Sequence, residues 1–165
     1  MPKKFIGFDI AFQRFQEFLK TNTEDNFTYD PEGDISYLFK DINQNKMFYE
    51  KFFEPNTNAK KIWVVGTTNN TARTLESTGV RILESGYIDQ ANKGHHPFFG
   101  GYKDKRTGKQ FIDITIAVTT SKKIAERRAK DQIQDLIIGV DSKGIADPVF
   151  LEARRLPEQG SEPIL

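Results

Sequence analysis

Residues 110–118, QFIDITIAV, constrain the fold more than any other stretch of this chain. Ile112, Ile114, Ile116 and Val118 alternate with Asp113, Thr115 and Ala117, the period of a strand that buries one face. Upstream, the run Phe98 to Tyr102 is separated from it by KDKRTGK, a turn sequence containing Gly108, so the two predict an antiparallel hairpin. The chain must therefore build at least one sheet with a covered face.

The segments around the hairpin extend that sheet. KIWVVG, residues 61–66, is a β-branched and aromatic run closed by Gly66. TTNNTARTLESTG reads as a capped short helix ending at Gly79, and VRILESGYI alternates Val80, Ile82 and Leu83, which together predict a β-α-β unit. Ser121 is placed to cap a helix over about 122–134, with Ile124, Ala125, Ala129 and Ile133 inward, and DLIIGVD supplies a last strand.

The first 54 residues read differently. Phe8, Phe12, Phe15 and Leu19 form one helical stripe over about 9–20 with Asp9 as its cap, although Phe8, Ile10 and Phe12 also alternate as a short strand over 4–10. TNTEDNFTYDPEGD reads as an irregular connection. Ile35, Leu38, Phe39 and Ile42 then show helical spacing after Asp34, as do Met47, Phe48, Phe52 and Phe53 before Pro55.

The expected fold is a single α+β domain over residues 1–146. It has a mixed or mainly antiparallel sheet of about five strands, packed on one face by helices. A helix-rich section spans 1–54, a sheet-containing section spans 61–141, and residues 147–165, with Pro148, Pro157, Gly160 and Pro163, form an extended or disordered tail. A chain of 165 residues is long enough to bury a core without covalent staples. It contains no cysteine, which excludes disulfides, thiolate metal sites and thiol nucleophiles. No apolar run reaches about 18 residues, and Asp9 interrupts what a secretory leader would continue, so a soluble, cytoplasmic protein without membrane contact is expected. No cofactor is expected.

Charge is unevenly distributed. Residues 9–54 hold five basic and ten acidic side chains, residues 103–130 hold nine basic and three acidic, and residues 131–165 hold three basic and seven acidic. The central block follows directly on GHHPFFGGY. Phe98, Phe99 and Tyr102 offer flat faces for base stacking, and Lys103, Lys105, Arg106, Lys109, Lys122, Lys123, Arg127 and Lys130 offer phosphate neutralisation. These residues are the candidate surface for a single-stranded nucleic acid in a nonenzymatic binding or accessory protein. The same residues also fit a packed strand with a solvated hairpin tip.

Two further sites are weighed. His95 or His96 with Glu84, Asp104 and Asp113 holds the ligand types for a divalent ion, which would make the protein a metal-dependent hydrolase or nuclease. Adjacent residues of an extended segment point apart, so one histidine is the more natural ligand. In VVGTTNNTA, Thr67, Thr68 and Asn69 follow a strand and a glycine as an anion cradle would, without the remaining glycines or lysine of a phosphate loop. A protein-interaction module with an acidic N-terminal section is the third class. The sequence alone leaves open whether the chain is an enzyme.

Overall fold

A computed structural model of the chain describes residues 4–55, 58–67, 77–103, 108–132, 134 and 136–151. In chain order the elements are α1 (Phe8–Thr21), β1 (Phe27–Asp30), β2 (Ile35–Tyr37), α2 (Ile42–Phe52), β3 (Lys61–Gly66) and α3 (Ser77–Asn92). β4 (Pro97–Lys103), β5 (Gln110–Val118), α4 (Lys122–Asp131), β6 (Leu136–Asp141) and β7 (Ala146–Phe150) follow. The hairpin read from the sequence is β4 and β5, paired without a bulge from Pro97↔Ile116 to Lys103↔Gln110. It sits in the middle of a seven-stranded sheet of order β2-β1-β4-β5-β3-β6-β7, in which every pair is antiparallel.

The α+β class stands, with seven strands instead of about five. β1 lies in the stretch read as irregular, and β2 lies where helical spacing was read. The spacing of Ile35, Leu38 and Phe39 covers too short a window to separate the two periods, and Asp34 and Phe39 adopt positive φ of 52° and 58°, which no helix accommodates. The segment 80–88 is helical, so no β-α-β unit forms. Val80, Leu83 and Tyr87 share one side of α3, and Leu83 and Tyr87 are buried. The short helix expected after Gly66 falls largely outside the described residues. At the C-terminus, residues 146–150 pair with β6 as an edge strand, where Pro148 can lack its N–H without breaking a ladder on both sides. The rest of the expected tail, 152–165, lies outside the described residues.

The helices start as their sequences allow. Asp41 caps α2 by accepting from the N–H groups of Asn43 and Gln44, and Ser121 caps α4 by accepting from Ile124 N–H at 3.2 Å. Residue 7 is the cap of α1, and Asp9 sits in its first turn, where a carboxylate still complements the helix dipole. α4 buries Ala125 and Ala129 as expected, while Ile124 is exposed and Ile133 lies outside the described residues.

Helices occupy both faces of the sheet, not one. α1 and α3 cover Phe27, Tyr29, Phe99, Ile112 and Ile114, where Phe15 stacks on Phe99 with ring centroids 4.4 Å apart. α4 lies on the same face over Trp63, Val65, Ile116 and Ile137. α2 lies on the other face, with Phe48 against Tyr37 and Phe98 and close to Ile62, Val64 and Val140.

The sheet curls around α2. Gln44 bonds to β2 through Ser36 O at 2.8 Å, while its neighbour Asn45 donates to Gly144 O at 2.9 Å in the β6–β7 turn. Five strand steps separate β2 from β6, which in a flat sheet is about 24 Å at ~4.8 Å per step. Two adjacent helical residues reach both only because the face carrying α2 is concave.

The Phe15–Phe99 stack gives the first prediction. Phe99→Ala should cost about 3–5 kcal/mol in urea unfolding, whereas Ile10→Ala, on the exposed side of α1, should change stability by less than ~0.5 kcal/mol.

Candidate functional site

The structure separates the residues that the sequence placed in one nucleic-acid surface. Phe98 and Phe99 are adjacent in a strand, point to opposite faces and are both fully buried. Neither ring is available for a base to stack on. Tyr102 is half-buried on the concave face, opposite Phe111 on β5. Lys103 donates its backbone N–H to Asn26 and approaches Asp25 at 3.7 Å. Lys109 is exposed, and Asp104, Lys105 and Arg106 lie outside the described residues.

α4 does present its cations together. Lys122, Lys123, Arg127, Arg128 and Lys130 are all exposed, on the convex side of the sheet and thus away from Tyr102. Lysines 20, 40, 51, 61, 93 and 103 all have carboxylate partners within 4 Å. Among the described residues, the five cations of α4 form no such pair.

The two histidines are engaged in separate places. His95 donates Nδ1–H to Gln90 Oε1 at 2.8 Å, and burial, reinforced by Arg128 and Lys93, holds its pKa below the ordinary value. His96 donates Nε2–H to Asp30 Oδ1 at 2.7 Å, with its ring between Phe5, Phe52 and Phe98. Asp30 is fully buried at the end of β1 and also receives Glu32 N–H at 2.9 Å and Lys51 Nζ at 3.4 Å. Burial alone would raise the Asp30 pKa, but the bond and charge of His96, with Lys51 and the Glu32 N–H, outweigh it and hold the carboxyl below 3.8. This cluster joins the β1–β2 turn, the last turn of α2 and the start of β4.

Among the described residues the metal constellation is not assembled. Glu84 lies on α3, on the opposite side of the sheet from Asp113, while His95 and His96 are bonded elsewhere. Among the described residues no group of three metal-ligating side chains converges. Thr67 donates both its N–H and its hydroxyl to Ile114 O, at 2.8 and 3.0 Å, which extends the end of β3 instead of opening an anion cradle. Thr68 and Asn69 lie outside the described residues. The apolar residues Ile10 on α1 and Met47 on α2 are exposed on opposite sides of the sheet, so they do not form one patch.

Asp113 has a different setting from the one the alternation suggested. Its face of β5 is the concave one, at the end beyond α2. Thr115 donates its hydroxyl to Asp113 Oδ1 at 3.0 Å. The carboxyl lies over two glycines on the flanking strands. A Cβ on Gly100 would stand 2.5 Å from Oδ1, and one on Gly66 would stand 3.1 Å from Oδ2 and 2.5 Å from Gln134 Oε1. Only glycine leaves room there. Thr28, paired with Gly100 on β1, completes a polar floor on this face. Although some of the Asp113 surface still reaches solvent, burial raises the carboxyl pKa from 3.8 to about 7, opposed only by the Thr115 hydrogen bond. Such a group exchanges its proton near neutrality, or ionises when a cation approaches.

A partial signal is present in the sequence, since Asp113 interrupts a β-branched run, but its approach to Gly66 and Gly100 depends on strand pairing. Nothing local distinguished Asp30 from the other acidic residues of its turn.

Compared with protein-family models, curated proteins and solved structures, the chain matches none of them. Among the described residues no helix is long and apolar enough to cross a membrane.

The two buried carboxyls make opposite contributions to stability. The Asp113 proton is held in the native state up to about pH 7 but lost near 3.8 in the unfolded chain, so stability falls as pH rises through that window. Asp30, with a depressed pKa, contributes stability that is lost only as pH falls below 3.8. Between pH 5 and 8 the Asp113 contribution should therefore fall by on the order of a few kcal/mol, opposed by His95, whose depressed pKa adds stability as pH rises, and Asp113→Asn should remove the falling component in thermal melts. A decline of equal size in both proteins would assign it to another group.

Proposed function

We propose that this chain is a nonenzymatic protein that docks the phosphate backbone of a single-stranded nucleic acid against the outer face of α4. The observation that supports this reading is the set of five exposed cations on one helix, without carboxylate partners among the described residues. Ion pairs elsewhere on the surface neutralise lysines locally, whereas cations without such partners among the described residues keep their field for a partner. Phosphates fit these cations because each one neutralised releases condensed counterions, and the free energy of release grows with the number of contacts.

The burial of Phe98 and Phe99 changes the character of the reading. Without those rings the contact is electrostatic and independent of base sequence. Tyr102 faces the other side of the sheet and takes no part in it. Lys103 and Lys109 border the hairpin, and Lys122, Lys123, Arg127 and Lys130 carry the contact, with Arg128 as a fifth cation.

The test is a salt titration of fluorescence anisotropy with a labelled single-stranded oligonucleotide. Affinity should fall steeply with salt and be the same for unrelated base sequences. Lys123→Ala with Arg127→Ala should flatten the log–log slope by about 1.4, from ~0.7 per phosphate, while Tyr102→Ala should leave the slope unchanged. Absence of binding at low salt, or a parental slope in the double variant, would remove the proposal.

A further inference from the structure

Arg14 and Asp34 place a guanidinium and a carboxylate in one cleft without neutralising each other. The cleft, of about 370 Å³, opens between the outer face of α1 and the β1–β2 turn. Ile10, Gln13, Arg14 and Glu17 line it from the helix and Asp34 from the turn. The four helical residues fall at i, i+3, i+4 and i+7, so they share the side of α1 that is turned away from the buried Phe8, Ala11 and Phe15. A cleft of this size suits a small molecule.

Each of the two charges is tied down from behind. Arg14 donates Nη1–H to Pro31 O at 2.8 Å, which fastens the guanidinium to the turn. Asp34 accepts the hydroxyl of the buried Tyr29 on Oδ1 at 2.5 Å. Both groups act on that phenol. Burial, then the bond and charge of Asp34, push its pKa up, and the Arg14 charge opposes them. The two side chains therefore lie near one hydroxyl, yet neither forms an ion pair within 4 Å with the other or with any other described residue. Asp34 holds a positive φ of 52°, a conformation with a cost even for aspartate, so the turn presents this carboxylate against its local preference. Glu17 is a different case, because Lys20 pairs with it at 3.0 Å and offsets its charge.

The cleft thus keeps one cation and one anion unmatched, beside the exposed side chain of Ile10. Opposite charges held apart in this way are complementary to a molecule that carries both charges a few atoms apart. A carboxylate meets the guanidinium fork with parallel N–H bonds, and an ammonium meets the carboxylate. A ligand with a single charge leaves the other side of the cleft unmatched.

We propose that this cleft binds a free α-amino acid zwitterion with an apolar side chain. Its carboxylate lies on Arg14, its ammonium on Asp34 and its side chain against Ile10. The lining side chains are exposed to solvent, so each charged contact is modest and the affinity is millimolar. None of these residues belongs to α4, and the site is separate from the phosphate contact proposed there.

The experiment is an NMR titration of the full, isotope-labelled chain with L-leucine and with two analogues that each keep one charge, 3-methylbutylammonium and 4-methylpentanoate. Leucine should shift the amides of residues 10–17 and 32–35 saturably, and each analogue should bind at least fivefold more weakly. Arg14→Gln should lose at least fivefold in affinity for leucine. Asp34→Asn should lose as much, although asparagine keeps the tolerance of positive φ and an acceptor for Tyr29. Ile10→Ala should weaken the binding of leucine and leave that of glycine unchanged. No saturable shift with leucine, an analogue that binds as tightly as leucine, or saturable shifts confined to residues outside 10–17 and 32–35 would each overturn the proposal, and these readings of the parent stand even if a variant fails to fold.

Discussion

Seven residue pairs, from Pro97↔Ile116 to Lys103↔Gln110, hold β4 against β5 at the middle of the sheet. Because side chains alternate across a strand, this register decides what each face carries. Phe99, Ile112 and Ile114 meet α1 and α3, and Ile116 and Val118 continue the same face beneath α4. Phe98 turns the other way to α2, while Gly100 and Asp113 are brought side by side. A slip of one residue would exchange the two faces, expose the phenylalanine stack and bury Asp113 under the helices.

Curvature gives the concave face its two chemically distinct ends. α2 fills one end with aromatic rings, and its last turn brings Lys51 to Asp30. At the other end, glycines replace side chains and a carboxyl rests in the space. The two buried aspartates consequently shift in opposite directions. Asp30 is surrounded by donors and positive charge and keeps its proton off, whereas Asp113 has one hydroxyl donor and keeps its proton on until about pH 7. Burial is common to both; the difference is compensation. The first ties three elements together, whereas the second is held by burial with a single hydroxyl donor.

Charge on the outside follows another logic. Lysines on α1, α2 and the strands find carboxylates, largely because acidic residues dominate the first third of the chain. α4 lies where its own few acidic residues do not pair with its cations. The cations of α4 on the convex face and Asp113 on the concave face are therefore physically separate.

Among the longer elements, β5, α1, α2 and α4 were legible from sequence. β5 shows four alternating apolar residues, α1 shows three turns of phenylalanine, and α2 and α4 show caps or stripes, because each buries one continuous face and covers enough residues to display it. β1 and β2 have four and three residues, too few to separate a strand from a turn or a helix, and β7 carries a proline that only an edge position tolerates. In α3, Val80 and Ile82 alternate by chance and mask the helical spacing of Val80, Leu83 and Tyr87 at i, i+3 and i+7. The candidate sites divide in the same way. The basic character of α4 was fixed by composition, since charge belongs to the residue. The burial of Phe98 and Phe99, the tie between Asp30 and His96, and the placing of Asp113 over Gly66 and Gly100 were decided only in the tertiary structure, because each depends on which distant strand lies alongside and on whether a face is covered.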